Sequence, residues 1–342
     1  MGKKWNPPSS WLKITTLDVH AAGEPLRIIT GGIPPLPGKT ILEKRRYAQN
    51  NLEGIRTSLM WEPRGHADMY GCILTEPVTP DGILGVIFLH NEGYSTMCGH
   101  AIIGLTTAVL NTGLIKIPGN KPVVKLDTPA GRVTASALRK NGIVKEVSFQ
   151  NVPSFVYAMD KRVLIPEFGE IPYDIAFGGA FYAFCSAENL GLKLTSEYSS
   201  SLIRVGMAIK NAVVKAIKIE HPYEKDLSFL YGTIFVGPPK NKKNHSRNVC
   251  IFAEGELDRS PTGTGVSARA ALHFSRGEIE QGEAFIVESI LGTSFTGRVV
   301  KTTSFGPYPA VIPEITGQAF ITGRHEFFID PNDPLQKGFF LR

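Results

Sequence analysis

Met97-Cys98-Gly99-His100-Ala101-Ile102-Ile103-Gly104-Leu105-Thr106-Thr107-Ala108-Val109-Leu110 decides how the chain is read, because a second stretch repeats its grammar. That second stretch is Pro261-Thr262-Gly263-Thr264-Gly265-Val266-Ser267-Ala268-Arg269-Ala270-Ala271-Leu272-His273-Phe274. Each reads as a tight turn leading into an apolar helix that stops at a glycine, Gly113 in the first and Gly277 in the second. Cys98 and Thr262 stand 164 residues apart, close to half of the 342-residue chain. A duplicated unit follows, each copy carrying one buried helix.

Around these helices the sequence predicts many short strands: Leu12–Val19, Gly85–Leu89, Val123–Leu126, Gly142–Phe149, Ile175–Cys185, Ala212–Ile219, Thr233–Val236 and Val249–Ala253. The 35 glycines and 24 prolines punctuate them at the density of a turn-rich α+β fold. With 42% apolar and 20% charged residues, two halves can each bury a core. The net charge of +6 is small and dispersed. Its densest stretch, Lys240–Arg247, lacks interleaved aromatics and reads as a solvated loop, so no nucleic-acid partner is expected. No apolar run is long enough to cross a membrane, and Met1–Asn6 fits neither a secretory signal nor the myristoylation pattern; a cytoplasmic protein is expected. The four cysteines, at 72, 98, 185 and 250, form no CxxC pair, so neither a disulfide framework nor a metal site is expected.

A helix start presents backbone N–H groups without intrahelical partners and a partial positive charge. Two such starts facing across a cleft make a clamp for a carboxylate, and Gly99 and Gly263 allow its close approach. Cys98 lies where that field favours thiolate, so it is expected to have a lowered pKa and to take a proton. Thr262 holds the equivalent place but has no accessible ionisation; it either forms one hydrogen bond or fills space. Asp258 can face a cationic amine or simply serve a turn, and His100 can touch a ligand or pack in the core. The His66/Asp68 pair and the Asp18, His20 and Glu24 group around Gly23 read as structural, and Cys72, Cys185 and Cys250 as packing residues.

These motifs resemble the proline racemase family. The likeness spans nearly the whole chain: Asp18–Pro25, Glu62–His66, Met97–His100, Asp127–Gly131, Val152–Phe155, Asp174–Gly179, Asp258–Pro261 and Glu288–Gly292. It implies a diaminopimelate-epimerase-like α+β fold of two pseudo-symmetric halves. Each is a mixed β-sheet around a central helix, with the active site in the cleft between them and no cofactor. The expected halves are residues 1–165, joined by 315–342, and 166–314. Racemases and 4-hydroxyproline epimerases of the family carry a second cysteine where this chain has Thr262. The Cys-then-Thr pairing resembles the branch that dehydrates trans-3-hydroxy-L-proline. The resemblance implies a carboxylate site on the backbone of Gly99, His100, Gly263 and Thr264. It puts the ring nitrogen near Asp258 and His100, and walls at Tyr70 and Phe252, where racemases have Phe in place of Tyr70. A small-molecule substrate and a possible homodimer are family expectations; racemase, epimerase or silent ligand binder are the rival readings.

Overall fold

The protein was analysed as a computed structural model that describes residues 5–341. Met1–Lys4, part of the stretch read for targeting signals, and Arg342 lie outside the described residues. The first half runs β1 (Leu12–Ala21), β2 (Glu24–Gly31), α1 (Ile41–Asn51), α2 (Glu53–Met60), β3 (Tyr70–Thr75), β4 (Leu84–His90) and β5 (Tyr94–Ser95). It continues with α3 (Gly99–Asn111), β6 (Val123–Thr128), β7 (Gly131–Lys140) and β8 (Ile143–Gln150). After β9 (Ser154–Ile165) come β10 (Gly169–Phe177), β11 (Phe181–Ser186), α4 (Ser199–Ala216), β12 (Leu230–Gly237), β13 (Ser246–Phe252) and β14 (Glu256–Leu257). The chain closes with α5 (Gly263–Ser275), β15 (Ala284–Glu288), β16 (Ser294–Phe305), β17 (Tyr308–Gly317) and β18 (Ala319–Ile329).

Strand pairing repeats in order. In the first half β1–β2 is antiparallel, β2–β3 parallel, β3–β4 and β4–β5 antiparallel, β4–β6 parallel, then β6–β7 and β7–β8 antiparallel. The same series runs from β10–β11 through β11–β12, β12–β13, β13–β14, β13–β15 and β15–β16 to β16–β17. The parallel steps need crossovers: α1 with α2 and then α3 supply them in one copy, α4 and then α5 in the other. The two outer strands complete the correspondence: β18 returns to pair with β1, and β9 pairs with β10. The expected division at residues 165 and 166 falls after β9, which pairs with β10 of the second repeat.

The central helices owe their burial to composition. Helix α3 is apolar on every face, and β1, β2, β7, β8, β17 and β18 enclose it; β9, β10, β11, β16 and β17 enclose α5 in the same way. Both helices end at a residue in αR, Thr112 or Arg276, followed by a glycine at positive φ (Gly113 at 75°, Gly277 at 67°).

Two strand expectations need correction. Ala212–Ile219 is not a strand: its first residues are the last turns of α4, whose stripe of Leu202, Val205, Gly206, Ile209 and Val213 is buried. A helical stripe that packs from one side outweighs the β-branched Val213 and Val214. Ile175–Cys185 is two strands, β10 and β11, separated by a turn with Gly179 at φ 102°. The Lys240–Arg247 stretch folds over Glu288, which accepts the N–H groups of Lys240 and Asn241 and pairs with the Arg247 guanidinium. Among the described residues no helix is long and apolar enough to cross a membrane.

Candidate active site

The starts of α3 and α5 meet. A Cβ placed on Gly99 would lie 2.6 Å from the Gly263 Cα, and one on Gly263 would lie 2.7 Å from the Gly99 Cα. Only two glycines allow the backbones to approach so closely. Neither Cys98 nor Thr262 makes an ordinary side-chain cap; the Ala101 N–H is turned to the Cys98 sulfur, and the N–H groups of Gly99, His100, Gly263 and Thr264 are left for a ligand.

The second turn is held by polar contacts. Thr262 sits at φ 64° and ψ 90°, a conformation a β-branched residue rarely adopts. Asn248 on β13 donates to the Pro261 carbonyl at 3.1 Å, and Arg269 on α5 donates to the Asn248 side-chain oxygen at 3.0 Å. The Thr262 N–H donates to Ser260 Oγ at 3.1 Å, and the Ser260 N–H to Asp258 Oδ1 at 2.7 Å. Thr262 is thereby fixed opposite Cys98.

The walls of the enclosed cavity between the two helix starts include Cys98, Gly99, His100, Thr262, Gly263, Thr264, Asp258, Tyr70 and Phe252. The structure thus brings every residue proposed from the sequence into one place, around a small, narrow cavity. Tyr70 stacks on His90 (5.7 Å between rings) and meets His100 edge-on at 4.8 Å, and its hydroxyl bonds Ser95. Sequence reading missed four further wall residues: Met97, Tyr182, Tyr231 and Cys250. Cys250 is buried, as expected of a packing residue, yet it also faces the ligand space. Alternation on β13 was the available signal, since Asn248, Cys250 and Phe252 share one face. Tyr182 and Tyr231 belong to no motif; the Tyr182 hydroxyl reaches Thr264 Oγ1 at 2.7 Å.

Burial sets the electrostatics. It pushes the Cys98 thiol well above its ordinary pKa, and the charges of Asp258 and Glu24 push the same way. The Ala101 N–H and the Tyr70 hydroxyl favour thiolate but do not prevail. The expected lowering at the helix start is therefore outweighed by desolvation, and the resting sulfur is a neutral thiol. His100 Nδ1 stands 3.1 Å from the Cys98 sulfur. Burial brings the His100 pKa down to about 3 against a favourable contact with the Pro25 carbonyl, so the ring is neutral. Burial also raises Asp258, opposed by hydrogen bonds from Ser260 and by the nearby Thr262 hydroxyl.

The residues read as structural make structural contacts. His66 is exposed and faces the Ala67 carbonyl, while Asp68 ties to Arg259 at 3.3 Å. Asp18 pairs with Arg27, His20 accepts the Gly23 N–H, and Glu24 accepts the Arg259 N–H at 2.7 Å. Among the described residues no group of three or more His, Cys, Asp or Glu is arranged to hold a metal ion.

Known proteins resemble this chain over nearly its whole length. The model of the proline racemase family matches residues 16–340. A trans-3-hydroxy-L-proline dehydratase of Colwellia psychrerythraea is 49% identical over 99% of this chain and 97% of its own length. The human trans-3-hydroxy-L-proline dehydratase is 45% identical, covering 96% of this chain and 95% of its own. A crystal structure of a hydroxyproline epimerase from Agrobacterium vitis, with bound trans-4-hydroxy-L-proline, superposes with a TM-score of 0.92 at 32% identity, over 98% of this chain and 96% of that one. With the duplicated sheet, the facing helix starts and these likenesses in hand, the chain belongs to the proline racemase family.

Proposed function

We propose that the protein dehydrates trans-3-hydroxy-L-proline to Δ1-pyrroline-2-carboxylate and water, with Cys98 as the acceptor of the α-hydrogen. The observation that carries this reading is the unequal pair at the two helix starts: a thiol on one side of the cavity and the Thr262 hydroxyl on the other. The dehydratase names of the relatives at 45–49% identity support the same substrate.

The mechanism follows from the asymmetry. The substrate carboxylate sits on the N–H groups at Gly99, His100, Gly263 and Thr264, and the ring ammonium faces Asp258. That ammonium offsets one of the negative charges that keep Cys98 protonated and so makes thiolate more accessible. Loss of the α-hydrogen drives charge into the carboxylate, where the helix starts stabilise it as it develops; a donor so placed is typically worth ~3–4 kcal/mol. A racemase would return a proton from the opposite face, but the Thr262 hydroxyl would be left as a costly buried alkoxide if it gave its proton to a carbanion. The electron pair instead expels the hydroxyl on the neighbouring carbon, and the enamine so formed tautomerises to the pyrroline. In the trans-3-hydroxy-L isomer the α-hydrogen and hydroxyl share one ring face, so elimination is syn and takes place on the Cys98 side. Tyr70, where racemases have Phe, extends a polar wall toward that face. The buried, unpaired thiols at 72, 98, 185 and 250 fit a reducing, cytoplasmic setting.

Incubation with trans-3-hydroxy-L-proline, followed by a pyrroline-specific colour reaction and chiral analysis, tests the reading. Pyrroline without a 2-epimer is expected. Accumulation of D-proline from L-proline, or of the 2-epimer of the substrate, would replace dehydratase with racemase or epimerase. Heat stabilisation by pyrrole-2-carboxylate without turnover of any proline derivative would leave only a binding protein.

A further inference from the structure

Among the described residues, two hydroxyl oxygens of the cavity wall are buried without a hydrogen-bond partner: Thr262 Oγ1 and Tyr231 Oη. The second belongs to a residue at the start of β12 that no sequence motif singles out. Tyr231 is 7% exposed, and its ring is fixed by Phe252 at 5.3 Å, Tyr182 at 5.9 Å and His90 at 6.0 Å. A phenol wedged among three rings cannot swing away to find a partner elsewhere.

The neighbouring polar groups are already engaged. The Tyr70 hydroxyl bonds Ser95, Tyr182 bonds Thr264, and Asp258 accepts the Ser260 N–H. A fixed, unpaired, buried hydroxyl in a ligand cavity marks the place of a ligand atom that can accept and donate. The substrate proposed above has three polar groups. The helix starts take its carboxylate and Asp258 its ammonium, which leaves the ring hydroxyl. Of these two oxygens, Thr262 Oγ1 stands at the start of α5 beside Asp258, whereas Tyr231 stands close enough to Cys98 to feel its charge, with the Tyr70 hydroxyl as its polar neighbour. Tyr231 thus shares the cavity wall with the sulfur that takes the α-hydrogen, the side on which syn elimination requires the departing hydroxyl.

We propose that Tyr231 binds the substrate's ring hydroxyl and supplies the proton with which it departs as water. The inference rests on the dehydratase reading and deepens it. The Cys98 thiolate takes the α-hydrogen, the electron pair forms the ring double bond, and the C3–O bond breaks. The leaving oxygen takes the Tyr231 proton and is released as water. The phenolate then recovers a proton from the Cys98 thiol, and both residues return to their starting states with no other reactant consumed. Burial favours the neutral phenol, the form that donates.

The test compares the native protein with Tyr231→Phe on two substrates, trans-3-hydroxy-L-proline and trans-3-fluoro-L-proline. Fluoride leaves without taking a proton, so its release bypasses the proposed donor. In the variant, kcat/KM for dehydration is expected to fall by about 100-fold or more, while fluoride release falls less than about fivefold, and heat stabilisation by pyrrole-2-carboxylate matches the native protein. Dehydration within about threefold of native overturns the proposal. So does an equal fall on both substrates or a loss of pyrrole-2-carboxylate stabilisation, since either marks a structural role. A native protein inert toward both substrates overturns the dehydratase reading and this inference with it. A native protein that turns both over confines any failure to Tyr231.

Discussion

Gly99→Ala is the sharpest probe of the carboxylate clamp, because its effect can be worked out from one contact. The added methyl would lie 2.6 Å from Gly263 Cα, 3.0 Å from Gly263 C and 3.1 Å from Phe149 Cζ. Two of these three are backbone atoms and cannot rotate aside. Ordinary contact begins at 3.4 Å, so the two helix starts must separate by at least about 0.8 Å. Overpacking of this kind costs about 1–3 kcal/mol of stability. A carboxylate held by both helices then loses good geometry on one of them, since an N–H···O distance stretched from ~2.9 to ~3.7 Å is no longer a hydrogen bond. Losing one such charge-assisted bond is worth ~1.5–3 kcal/mol, or roughly 10- to 150-fold in affinity. Turnover falls further, by about 100-fold or more, as the reacting carbon moves relative to Cys98. Calorimetric titration with pyrrole-2-carboxylate and initial rates with trans-3-hydroxy-L-proline read the two effects. Gly93→Ala is the control, because a methyl there meets nothing within 4 Å. A Gly99→Ala protein that binds and turns over within threefold of native would show that the helix starts do not hold the carboxylate together.

Three further outcomes are expected. Cys98→Ser should lower dehydration by about 1000-fold or more while retaining pyrrole-2-carboxylate binding; a near-native rate would remove Cys98 as the base. The pH profile of kcat/KM should climb from pH 6 toward pH 9, because burial raises the Cys98 thiol and its thiolate is the working form. His100, down at about 3, should add no inflection between pH 5 and 8, so a plateau above an inflection near pH 6.5 would contradict both assignments. Thr262→Cys places a second sulfur on the opposite face and should raise formation of the 2-epimer, or of D-proline from L-proline, at least about tenfold over native. Chiral chromatography would measure it, and no gain would mean that position 262 does not face the reacting carbon.

Much of this site is local in sequence. Cys98-Gly99-His100 and Thr262-Gly263-Thr264 each sit at a helix start because an apolar run follows a glycine turn, and that grammar is short-range. The two helix starts, the carboxylate they can hold and the unequal Cys/Thr pair follow from residues a few positions apart within each copy, whereas the proline-like substrate rests on the family resemblance. Ala212–Ile219 was misread for the same reason, since β-branched residues favour strands locally while the buried stripe of α4 is set by what packs on it.

The remainder depends on residues distant in the chain. Gly99 and Gly263 are identifiable as turn glycines, but only the fold shows that their purpose is to touch each other. The sequence predicts a helix-stabilised thiolate at Cys98, whereas enclosure by both halves, with Asp258 and Glu24 nearby, reverses the balance toward thiol. Tyr231 and Cys250 carry no motif and become wall residues only when β12 and β13 are laid beside the two helix starts. Sequence thus determined which chemical groups the protein owns and the local turns that present them. Tertiary structure decided their solvation and partners, because desolvation and contact arise from segments that lie far apart in the chain.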